Sequence, residues 1–144
     1  MNPILLQRIS YRLRKIPVLP KFITYFIRLI FGCYFPYNLK VGKNFILGYG
    51  GIGVVIHQNC VIGDNCHIDQ NVTLGGTSKK IEVPVLGNNV YVGAGAVILG
   101  PITIGDDVVI GANAVVVKDI PSGSLVVGVP ARIIKTGIKK SDYI

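Results

Sequence analysis

From Leu86 to Ile120 the chain reads LGNNVYVGAGAVILGPITIGDDVVIGANAVVVKDI, and an aliphatic residue returns at every sixth position: Leu86, Val92, Ile98, Ile104, Ile110 and Val116. Four residues after each stands a second small or aliphatic residue, at Val90, Ala96, Ile102, Val108, Ala114 and Ile120. A period of six fits neither the helical repeat of about 3.6 residues nor the strand alternation of about two. It fits a chain that turns a corner after every unit, so that three units close a triangular coil of about 18 residues. Aliphatic side chains then fill the prism. Gly and Asp, which tolerate left-handed backbone, take the turns. Each coil rises by one strand spacing, ~4.8 Å.

The same rhythm starts upstream at Val41 and passes Leu47, Ile56, Ile62, Ile68 and Leu74, with Cys60, Cys66 and Val72 in the second position. Cys60 and Cys66 therefore read as small buried residues. Two intervals are irregular. Leu47 to Ile56 carries three extra residues within Gly48-Tyr49-Gly50-Gly51-Ile52-Gly53, a bulge. Leu74 to Leu86 spans twelve, two units' worth, but Thr77 to Val85 lacks the pattern and is expected to loop out with the register kept. On that register His57 stacks with Gly75, Gly93 and Gly111, and Gln58 with Gly76, Ala94 and Ala112. The outcome is a shallow groove of small residues, ~20 Å long over four coils, with His57 at its head. Lys118 and Arg132 lie farther along, where cations meet phosphates.

Composition agrees with one folded domain: 144 residues, half of them hydrophobic, 15% charged, with 18 Gly and three Cys. It excludes a disordered chain and a disulfide scaffold. No apolar run of spanning length escapes a charge, and the start lacks the pattern of a signal peptide, so a cytoplasmic location is expected. The formal net charge of +8 is uneven. Arg8, Arg12, Arg14, Lys15, Lys21, Arg28, Lys40 and Lys43 precede the first acid, Asp64, and the remainder balances. Residues 1–40 form a basic amphipathic segment, with Ile4, Leu5, Ile9, Leu13 and Ile16 at helical spacing and a second helix opening at Pro20. It reads as a cap on the coil or a pairing element between subunits, or as a helix lying at the inner face of an anionic membrane. Nucleic acid is not an expected partner, because the body has no basic surplus to extend a phosphate track. The expected division is 1–40 helical segment, 41–135 coil and 136–144 tail.

The hexapeptide repeat, the stretches Val72-Thr73-Leu74-Gly75-Gly76-Thr77 and Val92-Gly93-Ala94-Gly95-Ala96, and the ending Val127-Gly128-Val129-Pro130-Ala131-Arg132-Ile133-Ile134 resemble the left-handed β-helix acyltransferases. The similarity is closest to serine acetyltransferases and to their short relatives in capsule and exopolysaccharide synthesis. The resemblance implies a mainly β, left-handed parallel β-helix that forms a homotrimer, with acetyl-CoA in a groove between adjacent prisms and a His as general base. It implies coenzyme contacts from Gly76, Ala94, Ala112, Lys118 and Arg132. Serine acetyltransferases carry an Asp-His-Ala-Thr-Gly stretch where this chain has Gly48-Tyr49-Gly50-Gly51, and an Arg-His-Pro in the loop that here runs from Ser78 to Pro84. These departures point to the polysaccharide branch, with acetyl transferred from acetyl-CoA to the hydroxyl of a sugar or glycan precursor. Serine O-acetylation for cysteine biosynthesis is the alternative.

Only two histidines exist. His57 follows an inward aliphatic and faces out, so it is the expected base; His67, just before Ile68, is the second choice. A hydroxyl is a poor nucleophile at neutral pH and needs such a base within hydrogen-bond reach. Backbone N–H groups at Gly75-Gly76 are candidates for holding the oxyanion. Asp69 and Glu82 are candidates for orienting the imidazole, and Tyr49 for shaping the acceptor site. No metal site is expected, since three histidines on a metal are not available.

Overall fold

The structure is a computed structural model describing residues 2–144. Two helices, α1 (Pro3–Arg12) and α2 (Leu19–Phe31), lead into four coils. The first coil is β1 (Lys40–Val41), β2 (Ile46–Leu47) and β3 (Val55–Ile56). The second is β4 (Val61–Ile62), β5 (His67–Ile68) and β6 (Thr73–Gly75). The third is β7 (Val85–Leu86), β8 (Tyr91–Val92) and β9 (Val97–Leu99); the fourth is β10 (Thr103–Ile104), β11 (Val109–Ile110) and β12 (Val115–Val116). A last hairpin, β13 (Ser124–Val127) and β14 (Arg132–Thr136), closes the far end.

Strands stack in parallel on three faces: β1-β4-β7-β10, β2-β5-β8-β11-β13 and β3-β6-β9-β12. β14 alone runs antiparallel, at the edge of the second face. This is the mainly β, left-handed parallel β-helix that the resemblance implied, with the helical start expected from the spacing of residues 1–40. The aliphatic residues of both repeat positions point inward and are buried, from Leu47 and Ile56 through Ile98 and Ile110 to Val116. Cys60 and Cys66 join them; burial pushes the Cys60 thiol up to about 11.

The register differs from the one read in the sequence. Leu74 pairs with Ile98 and Ile62 with Leu86, so the twelve residues between Leu74 and Leu86 make one side of the prism, not two. The other six leave the coil as a loop. Every later residue is thereby moved on by one side. His57 and Gly75 are followed on their edge by Leu99 and then Val117, and Gly93 and Gly111 belong to a different edge. There they continue the column Gly48, Asp69, Gly93, Gly111, each just after its inward aliphatic on the second face.

The turns also differ in detail. Left-handed backbone falls mostly on Asn two residues after the repeat glycine, at Asn44, Asn65, Asn89 and Asn113, and on Asn71 two residues after Asp69. Asn tolerates that region through its short polar side chain. The repeat glycine answers a different demand. A Cβ on Gly93 would sit 2.8 Å from the amide nitrogen of Ala112 and 3.0 Å from the carbonyl oxygen of Ile110, in the coil beyond.

At the near end, Ile27 of α2 and Phe35 and Leu39 of the linker are fully buried, and Phe35 stacks on Phe45 of the first coil with ring centroids 5.9 Å apart. Gln7 of α1 donates to the Leu39 carbonyl at 3.0 Å, and the Tyr37 amide donates to Thr24 Oγ1 at 3.2 Å. The helices thus cover the open end of the prism. Among the described residues, no helix is long and apolar enough to cross a membrane.

Candidate functional site

Two polar clusters lie on two different edges of the prism. The edge between the third and first faces carries His57, Gly75, Gly76 and Lys118. His57 is half-buried, and its Nδ1 accepts a hydrogen bond from the Asn59 backbone N–H at 3.2 Å. That bond places the proton of a neutral ring on Nε2 and occupies the lone pair on Nδ1. Gly75 ends β6, while Gly76 and Lys118 are exposed. Glu82 stands exposed on the loop that leaves this edge, with no hydrogen bond to His57.

The edge between the second and third faces carries Tyr49, Asp69, Gln70, Ala94 and Ala112. Here the chain assembles a connected site. His67 and Asp69 flank the inward Ile68, so strand alternation turns both side chains outward. His67 Nε2 lies 3.1 Å from Asp69 Oδ1. The Tyr91 hydroxyl, one coil farther on, donates to Asp69 Oδ2 at 2.6 Å, and its ring meets the imidazole edge-on at 5.3 Å between centroids. The turn Gly48–Gly51 lies beside β5. Any Cβ at Gly48 would run into Asp69 Oδ1, so this glycine keeps room for the carboxylate. Tyr49 projects from the same turn, 76% exposed. Gln70 Oε1 is buried without a partner among the described residues.

Below Asp69 the column continues as Gly93 and Gly111, and beside it as Ala94 and Ala112, with nothing longer than a methyl group. The small-residue strip is therefore present, but Asp69 and His67 head it, not His57. Ala94 and Ala112 lie together on it; Gly75, Gly76 and Lys118 lie on the other edge. Arg132 opens β14 at the far end, exposed, with its guanidinium on the Ala131 carbonyl at 3.0 Å.

The sequence reading placed Asp69 and Tyr49 in the site, held His67 as second choice and missed Tyr91 and Gln70. A histidine and a carboxylate two apart around an inward aliphatic is a readable signal, since both must share the outer face. Tyr91 is twenty-four residues from His67. It aligns only once the six looped-out residues are subtracted.

Burial pushes the Tyr91 phenol up to about 12, aided by the hydrogen bond it donates to Asp69 and by that residue's negative charge. The fold thus favours the neutral phenol. This stabilisation is present below the ordinary value of about 10 and is lost as pH rises through about 12. Asp69→Asn removes the charge and leaves the burial. In an ultraviolet pH titration, the late tyrosine of the parent protein moves towards 10 in this variant without reaching it.

Residues 84–118 match the family model described as bacterial transferase hexapeptide (six repeats). The chain is 40% identical over 129 residues to the serine acetyltransferase of Synechococcus elongatus, covering 88% of this chain and 52% of that protein. The chain is a relative of the serine acetyltransferases. The crystal structure of the Neisseria gonorrhoeae serine acetyltransferase superposes with a TM-score of 0.88 at 35% identity, covering 95% of this chain and 54% of that one. A Brucella abortus serine acetyltransferase in complex with coenzyme A gives a TM-score of 0.85 at 35% identity, over 94% of this chain and 56% of that one. The chain thus spans about half the length of the relatives it matches.

These relatives correct one expectation. The departures at Gly48–Gly51 and Ser78–Pro84 pointed to the capsule and exopolysaccharide branch and to a sugar hydroxyl as acceptor. Proteins named serine acetyltransferase match across nine-tenths of the chain, departures notwithstanding. The similarity favours the alternative, serine.

Proposed function

We propose that the chain is an acetyl-CoA-dependent serine O-acetyltransferase in which His67 is the general base. The observation that carries the chemistry is the His67–Asp69–Tyr91 arrangement at the head of the bare Gly93–Gly111 column. The relatives supply the acceptor and the donor. With Nε2 3.1 Å from the Asp69 carboxylate, the ring keeps its proton on that nitrogen, which leaves the Nδ1 lone pair free. Tyr91, donating to the second carboxylate oxygen, holds Asp69 in place. The serine hydroxyl gives its proton to Nδ1 as its oxygen bonds the acetyl carbon; the thioester C–S bond breaks, and the proton passes on to the departing thiolate. O-acetylserine and coenzyme A result.

The strip of Gly93, Ala94, Gly111 and Ala112 gives the coenzyme's pantetheine arm backbone to lie against, and Arg132 stands at its far end for the phosphates. A second copy that turned its Gly75–Gly76–Lys118 edge towards this strip would complete the groove. A homotrimer provides that arrangement. Tyr49 borders the acceptor side. Gln70 Oε1, buried and unpartnered, is an acceptor for the serine ammonium group.

The test is thiol release from acetyl-CoA with and without serine, with the product identified by mass spectrometry. Serine-dependent release is expected; its absence in a folded protein that binds coenzyme A overturns the proposal. Gln70→Leu removes the acceptor and is expected to raise KM for serine about tenfold, with kcat changed little, as for one lost hydrogen bond to a charged group.

A further inference from the structure

We infer that the outer surface of the α1–α2 hairpin is a docking surface for an anionic lipid membrane. The inner faces are fixed: Gln7 and Ser10 of α1 and Thr24 and Ile27 of α2 are buried against the linker, the coil end and each other. The opposite faces follow from helical spacing. On α2 they present Phe22, Tyr25 and Leu29, and on α1 Leu5 and Ile9 interleaved with Arg8 and Arg12. Phe22 is 65% exposed and Leu29 82%. Large apolar side chains clustered outward beside cations mark an interaction surface, not chance scatter.

Charge selects the partner. Every Lys and Arg before the first acid is exposed, and among the described residues none of them pairs with a carboxylate. At the margin of this surface, where α1 meets Leu39–Val41, Arg8, Arg12 and Lys40 line a cleft of about 260 Å³ that gives a lipid phosphate a seat, with Arg8 also donating to the Gly42 carbonyl at 3.3 Å. A second copy of the chain is the poorer occupant, because pairing this face with itself would oppose two acid-free basic surfaces. A bilayer with anionic headgroups supplies both the counter-charge and an apolar layer for Phe22 and Leu29. Held there, the prism would stand on its capped end, with the His67 edge facing the aqueous side.

The test is co-sedimentation of the full chain with phosphatidylcholine vesicles with or without phosphatidylglycerol. Binding to the anionic vesicles alone is expected, weakening several-fold as salt is raised. Arg8→Gln with Arg12→Gln is expected to weaken it about thirtyfold, and Phe22→Ser with Leu29→Ser at least about tenfold. These side chains are exposed, so thermal unfolding of the coil, followed by circular dichroism, is expected to stay unchanged and to show that the variants fold. The inference is overturned by equal binding to uncharged vesicles, by binding indifferent to both double variants, or by an oligomer in sedimentation velocity that Phe22→Ser with Leu29→Ser dissociates. Equal competition by free inorganic phosphate also overturns it, since it marks a phosphate site without a bilayer.

Discussion

His67→Gln is expected to lower kcat for serine acetylation by about a thousandfold, within the range for loss of a positioned general base. Glutamine is the informative replacement because its amide can donate to Asp69 Oδ1, which the imidazole Nε2 approaches to 3.1 Å. The carboxylate keeps a partner, Tyr91 keeps its acceptor, and only the basic lone pair is lost. Steady-state kinetics with acetyl-CoA held saturating measure the change. Binding of coenzyme A, followed by calorimetry, is expected to survive. A drop of less than about tenfold would remove His67 from the base role.

The companion variant is His57→Asn. His57 Nδ1 accepts the Asn59 N–H, a local turn contact that an asparagine side chain can reproduce. Turnover is therefore expected to stay within about tenfold of the parent. The reverse pattern, a large loss at His57 and a small one at His67, would return the base to the other edge of the prism. Asp69→Asn is a test of positioning. It is expected to lower kcat while leaving KM for acetyl-CoA nearly unchanged, and to alter the pH profile of kcat, because the ring loses the charge that fixes its tautomer.

The solenoid was legible because each inward position admits only aliphatic or small residues, and its neighbours six apart repeat the demand. The site was legible in parts. Asp69 and Tyr49 stood out through their chemistry, and the structure brings them to one edge, but the column that joins them to Gly93 and Gly111 depends on counting sides. Twelve residues between Leu74 and Leu86 equal two sides, or one side and a six-residue loop, and arithmetic does not separate the two. Physics does. The inward residue of the extra side would be Lys80, and an unpaired ammonium does not enter an aliphatic prism. In the structure Lys80 lies exposed on the loop, and Val83 and Leu86 take up the interior again. The acceptor was a different kind of error. Missing motif residues near Tyr49 were read as a change of substrate, although the His67–Asp69 pair stands beside the same turn.

Ile98→Ala is expected to cost about 3 to 4 kcal/mol of unfolding free energy, read from the shift in urea midpoint at unchanged slope. Ile98 is fully buried in β9, between Leu74 of the coil before and Val116 of the coil after. Its side chain fills a prism whose three walls are hydrogen-bonded sheets, so the walls collapse little around the lost methyl and methylene groups. The cavity term then adds to the transfer term. In a solenoid each coil touches only its neighbours, so no distant packing compensates. The contrast is Leu29→Ala on α2, which removes a side chain of similar volume that is 82% exposed. Its effect is expected within about 0.5 kcal/mol. The difference between these two truncations measures how completely the prism interior, and not the helical cap's outer face, carries the stability on which the His67 edge is mounted. If both cost the same, the outer face of α2 is covered in solution, and the stacked coil is not the main source of stability.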